Sequence, residues 1–183
     1  MGQLTYGVYK TDNRLKDMWV ALTTEMDYNA PIYKGTGLVY LEPRQKGHFL
    51  HYTSIKLSDS EQWEFDDGIF QCCSDNVILG TKRLKFRQMT GSSDGRWRIA
   101  IKALPGQNAK VVTGTTAPAK IIDLKKGETL IADYDLVKGF TNGIEEDYRK
   151  LGHLGKGGGE GYVWIYGGEG KLLVSETDGM GLG

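Results

Sequence analysis

Ile55 and Leu57 recur 67 positions later as Ile122 and Leu124. Held without gaps, the same offset sets Glu61 on Glu128, Trp63 on Leu130, Phe65 on Ala132, Asp66 on Asp133, Ile69 on Leu136 and Phe70 on Val137. A chain that carries one unit twice is constrained to build one arrangement twice. The unit reads as strand, acidic turn, strand, turn at Asp, strand. Two copies predict two sheets related by a pseudo-twofold axis. Gly35-Thr36-Gly37 ahead of Leu38 to Leu41 resembles Gly159-Glu160-Gly161 ahead of Tyr162 to Ile165 in the same way.

The repeated segments alternate with a period of two, which belongs to half-buried strands. Strands are expected at Gly37 to Leu41, at His48 to Leu57 with Ile55 and Leu57 on one face, and through Trp63, Phe65 and Gly68 to Phe70 to Val77, Ile78 and Leu79. A long hairpin follows, with Leu84, Phe86, Trp97, Ile99 and Ile101 turned inward. Val111 and Val112, Ile121 to Leu124, Thr129 to Ala132 and Leu136 to Phe140 continue the series. A polar stretch after Phe140 reads as a short helix or loop, and Tyr162 to Tyr166 with Lys171 to Ser175 form a last pair. Glycine supports this: 26 of 183 residues is far too many for long helices, where each costs about 0.5–1 kcal/mol relative to Ala. The expected class is all-β, a two-sheet antiparallel β-sandwich over 28–176, preceded by a segment 1–27 that adds a strand or arm and followed by a flexible Gly-rich tail, 177–183.

The charges cancel, with 23 basic and 23 acidic residues, which argues against a protein devoted to coating nucleic acid or anionic membrane. The pattern conceals one basic patch. Arg83, Lys85, Arg87, Arg96, Arg98 and Lys102 occupy the outward face of the long hairpin, where they could follow phosphates or simply blunt a strand edge. The segment containing Gly155, Lys156, Gly157, Gly158 and Gly159 forms a second candidate contact, an interaction loop. It is not a Walker loop, because Gly155-Lys156 runs into glycine rather than into Ser or Thr opening a helix.

Other constellations read as structural. His48 and His51 fall on opposite faces of a strand, and the cupin His-x-His with its following Glu is absent, so no metal is expected. Adjacent Cys72 and Cys73 point to opposite sides, which disfavours a disulfide between them and suits reducing, intracellular surroundings. Cys73 as a nucleophile would need a nearby base that the sequence does not indicate. Ser58-Asp59-Ser60-Glu61 spells a helix capping box, but the period after it is two, so it reads as an acidic turn. The repeated Glu61/Glu128 and Asp66/Asp133 read as turn-bonding carboxylates. No apolar run has the length of a membrane-spanning helix, and no secretory or mitochondrial presequence is visible.

Three segments carry a family resemblance: Gly35-Thr36-Gly37-Leu38-Val39-Tyr40-Leu41-Glu42-Pro43; Ile121-Ile122-Asp123-Leu124-Lys125-Lys126-Gly127-Glu128 with Asp133 and Leu136-Val137; and Gly159-Glu160-Gly161-Tyr162 with Gly168-Glu169-Gly170 before Leu172. They resemble the altered inheritance of mitochondria protein 24 family, over roughly Tyr28 to Glu176. The resemblance implies a β-sandwich like that of the tryptophan RNA-binding attenuation protein, built from two related halves, with no catalytic residues to carry over. It also implies a mitochondrial setting near the inner membrane. The expected function is non-enzymatic: a structural or accessory protein that acts through protein partners or self-assembly, without cofactor or small-molecule substrate, and compatible with peripheral membrane association. The alternative is a nucleic-acid-binding β module using the basic hairpin.

Overall fold

The computed structural model describes residues 5–8, 31–36, 38–40, 51–83, 97–150 and 162–175. The chain divides into two compact units, Met1–His48 and Phe49–Gly183. In the first, β1 (Thr5–Val8) pairs antiparallel with β2 (Pro31–Lys34). Leu38, Val39 and Tyr40, expected in a strand, are exposed and lie in no regular element.

The second unit contains β3 (His51–Leu57), β4 (Gln62–Asp66), β5 (Phe70–Cys73), β6 (Val77–Arg83), β7 (Trp97–Ala103) and β8 (Ala109–Thr115). It continues with β9 (Ala119–Leu124), β10 (Thr129–Ala132), β11 (Val137–Thr141), β12 (Ile144–Lys150), β13 (Tyr162–Gly168) and β14 (Gly170–Ser175). Short 3-10 turns at Asp67–Ile69 and Tyr134–Leu136 lie ahead of β5 and β11. The all-β class and the sandwich packing agree with the sequence. The polar stretch after Phe140 does not: Ile144–Lys150 is a strand, paired with β13 along its whole length.

Among the described residues all pairings are antiparallel, and the strands of the second unit form three sheets. A six-stranded sheet runs in the order β6-β7-β4-β11-β14-β9, and two three-stranded sheets run β3-β8-β5 and β10-β13-β12. The six-stranded sheet therefore draws strands from both copies of the sequence unit, joined where β4 pairs with β11.

Strand alternation gives that sheet two buried faces. Glu64 lies opposite Phe140 and Ala100, so Glu64, Asp66, Arg98, Phe140 and Leu172 share one face, while Trp63, Phe65, Ile99 and Ile101 share the other. On the first face, Leu124, Val137, Phe140, Leu172 and Val174 pack with Ile144, Trp164 and Tyr166 of the β10-β13-β12 sheet in one apolar cluster. On the second, Trp63, Phe65, Ile99 and Ile101 are wholly buried, and Trp63 stacks on Phe65 with ring centroids 5.3 Å apart. The β3-β8-β5 sheet turns Ile55, Leu57 and Val111 to the interior, and the Asp67–Ile69 turn contacts both β7 and β8. Burying each such side chain contributes about 1.5–3 kcal/mol, which makes these two interiors the main source of stability.

Candidate interaction surface

One member of the expected basic face, Arg98, is withdrawn from solvent and is 2% exposed. Its Nη1 and Nη2 donate to Glu146 Oε2 and Oε1 at 2.5 and 2.7 Å, and its Nε donates to Asp66 Oδ1 at 3.4 Å. Its guanidinium lies 4.8 Å from the centroid of the Phe140 ring. The sequence placed Arg98 outward because it alternates with Ile99; the correction comes from the β10-β13-β12 sheet, which covers that face and brings Glu146 over it. A guanidinium out of water requires a carboxylate fork and further acceptors, and this site supplies them.

Lys102, four residues further along β7, is exposed as expected. Arg83 ends β6 opposite Trp97. Lys85, Arg87 and Arg96 lie outside the described residues, as do Gly155, Lys156, Gly157, Gly158 and Gly159 of the candidate loop. The described part of the hairpin contains one cation that sequence reasoning missed: Lys82 Nζ donates to both carboxylate oxygens of Glu64, at 2.7 and 3.0 Å.

The acidic turns behave as the sequence suggests. The Glu61 amide donates to the Ser58 carbonyl at 3.1 Å, and the Glu128 amide donates to the Lys125 carbonyl at 2.9 Å. The Glu61 carboxylate also accepts from Lys171 Nζ. Partial burial pushes the Glu61 carboxyl up, but the Lys171 hydrogen bond and charge, with the Ser58 backbone and hydroxyl, bring it below the ordinary carboxylate range. Asp66 departs from the turn reading, since it serves Arg98.

Glu61 and Lys171 form part of a shallow cleft of about 400 Å³, with Asp123, Lys125, Asn142 and Glu169 along its walls. Its charges are of both signs and its mouth is wide, so it lacks the dry, convergent polar groups of a small-molecule site. Cys72 and Cys73 are free thiols. Burial, with help from the neighbouring Cys72 and Asp75, pushes Cys73 up to about 11, and burial also raises Cys72. Among the described residues, no group of His, Cys, Asp and Glu is placed to hold a metal ion, and no helix is long and apolar enough to cross a membrane.

The second unit exposes four large apolar side chains among its described residues: Tyr52, Ile78, Ile121 and Ile131. Each belongs to a strand that, among the described residues, ends its sheet, respectively β3, β6, β9 and β10. A hydrophobic side chain on an open strand edge favours pairing with another chain unless something blunts it.

These features define an antiparallel β-sandwich protein whose second unit, among the described residues, exposes its large apolar side chains on sheet-ending strands. The family model described as mitochondrial biogenesis AIM24 matches residues 8–176, and the chain belongs to that family. No curated protein matches the chain. Among solved structures, it is similar to a crystal structure of a Streptococcus pyogenes protein, with a TM-score of 0.52 and 18% sequence identity. That similarity covers 70% of this chain and 55% of the streptococcal one, so it describes the fold and spans about half of the larger protein.

Proposed function

We propose that this member of a mitochondrial biogenesis family is a non-enzymatic structural or accessory protein that acts by protein–protein association in an inner-membrane-associated mitochondrial assembly. The observation that carries this reading is the confinement of the second unit's exposed large apolar side chains to sheet-ending strands. Edge strands offer backbone donors and acceptors in a row, and apolar side chains beside them favour a protein partner over water. Two further features support it. Arg98 is committed to Glu146 and Asp66, which removes a cation from the set that a nucleic acid would use. The Cys73 thiol stays protonated near neutrality, which suits packing better than nucleophilic chemistry.

The test is native mass spectrometry of the protein isolated from its source after mild cross-linking. The expected result is a species heavier than one chain, as a homo-oligomer or with a co-purifying protein. A strictly monomeric protein with no associated chain would overturn the reading.

A further inference from the structure

The two halves of the second unit agree in more than sequence. Between them, β3 to β6 correspond to β9 to β12, β7 to β13 and β8 to β14. The registers correspond as well. Glu64↔Ala100↔Gly80 in the first half is matched by Ile131↔Ile165↔Asp147 in the second, and Cys73↔Val111↔Ile55 by Phe140↔Leu172↔Ile122. Each half has a register shift at the same place, between Phe70 and Cys72 and between Val137 and Gly139. Two side-chain bonds also coincide: the Lys110 amide donates to Ser74 Oγ at 3.0 Å, and the Lys171 amide donates to Thr141 Oγ1 at 2.9 Å.

One pairing has no counterpart. β4 of the first half joins β11 of the second, with Phe65 opposite Gly139, Glu64 opposite Phe140 and Trp63 opposite Thr141. The corresponding strands are β10 and β5. Among the described residues each ends its sheet, and they do not pair with each other. The chain thus presents one edge of the β4 kind and one of the β11 kind, the two sides of a junction it already makes internally.

We propose that β10 of one chain pairs with β5 of a second copy in the register of the β4–β11 junction: Ala132 opposite Cys72, Ile131 opposite Cys73 and Leu130 opposite Ser74. This names the partner and the edge for the association reading above, and rests on it. The residue sizes fit. At the internal junction Gly139 is required, because a Cβ there would lie 2.5 Å from Phe65 Cδ1. At the proposed junction Phe65 is replaced by Ala132, and the position of Gly139 is filled by Cys72, so the space given up on one side is used by the other. Leu130 and Ser74 repeat the large-apolar and hydroxyl pairing of Trp63 and Thr141. Ile131, 62% exposed, finds an apolar neighbour in Cys73. The occupant is a second copy because β10 calls for a β11-like strand and β5 for a β4-like strand, and another copy supplies both. The contact is head-to-tail, so it closes into a ring, with a dimer as the smallest, or extends.

The test uses the full chain with Ile131→Cys. Directly opposed antiparallel residues have Cα atoms about 4.5–5.5 Å apart, inside the range a disulfide spans. Oxidation with copper phenanthroline is expected to join chains through position 131 and Cys73, identified by peptide mass, and Cys73→Ser in the same background is expected to abolish the link. In parallel, Ile131→Lys is expected to weaken self-association at least about tenfold by light scattering, because a charge on an edge strand opposes pairing. Ile78→Lys on the β6 edge is expected to leave it unchanged. An oligomer that persists with Ile131→Lys and gives no link to Cys73 overturns this junction and leaves association standing. A link formed within one chain also overturns it. A wild-type chain that is monomeric and partnerless overturns both.

Discussion

Glu146→Ala tests the burial of Arg98 directly. The substitution removes both short hydrogen bonds to the guanidinium, leaving Asp66 at 3.4 Å and the Phe140 ring at 4.8 Å. Stripping the main partner from a buried charge costs about 3–5 kcal/mol. The remaining contacts place this case at the lower end, near 3 kcal/mol. For a unit of this size that is a fall in melting temperature on the order of 10 °C, at about 2–4 °C per kcal/mol. Urea unfolding followed by tryptophan fluorescence would report a lower midpoint with an unchanged slope. Replacing the cluster together, as Arg98→Met with Glu146→Leu and Asp66→Asn, should recover most of the loss, because apolar groups of similar volume avoid the desolvation cost and no buried carboxylate is left without its cation. Lys102→Ala is the internal control: it belongs to the same strand and the same alternation but is exposed, and should shift stability by no more than about 0.5 kcal/mol. If Glu146→Ala and Lys102→Ala had equal effects, Arg98 would not be buried against Glu146 and the account of that face would fail.

Two other outcomes follow from local geometry. Gly139→Ala should destabilise by about 1–3 kcal/mol or more, since its Cβ would meet the Phe65 ring and, at 2.8 Å, the Glu64 carbonyl oxygen, whereas Gly80→Ala, whose nearest neighbour is 4.0 Å away, should be tolerated; comparing their denaturation midpoints checks this. Cys73, with a pKa pushed up from 9.0 to about 11, should react with iodoacetamide at pH 8 about a hundredfold more slowly than an ordinary thiol, as mass spectrometry of timed samples would show. The same shift makes the folded state lose stability as pH rises from 9 toward 11, because the unfolded thiol ionises first.

The strands with apolar alternation were legible in the sequence. Ile55, Leu57, Trp63, Phe65, Ile99 and Ile101 are all buried, and Thr129 to Ala132 is β10 with the expected bounds. Two errors share one cause. Arg98 alternates with buried isoleucines, and a polar residue in that position normally faces water. Ile144–Lys150, with the sequence IEEDYRK, contains little that favours a strand on composition. Each makes sense only with the other present: the strand supplies Glu146, and Glu146 makes the arginine's burial tolerable. Strand propensities span only about 1 kcal/mol, less than burial of Ile144 contributes, so packing decides the outcome. A signal was available. Carried further, the offset that aligns Ile55 with Ile122 places Val77–Arg83 on Ile144–Lys150, strand on strand. The sheet to which each strand belongs was not legible, because alternation encodes a face but not a neighbour.

The junction between β4 and β11 has a consequence for how the unit comes apart. Trp63 and Thr141, far separated along the chain, are neighbours in the middle of the longest sheet, so neither half completes its hydrogen bonding without the other. Melting one half exposes a strand edge of the other, which couples their stabilities into a single transition. Contacts between such distant residues also close late, and they make folding slower than a unit of this size assembled from local hairpins would be. A chain cut between Thr115 and Ala119, where the two halves meet, would therefore yield two sticky fragments rather than two small domains.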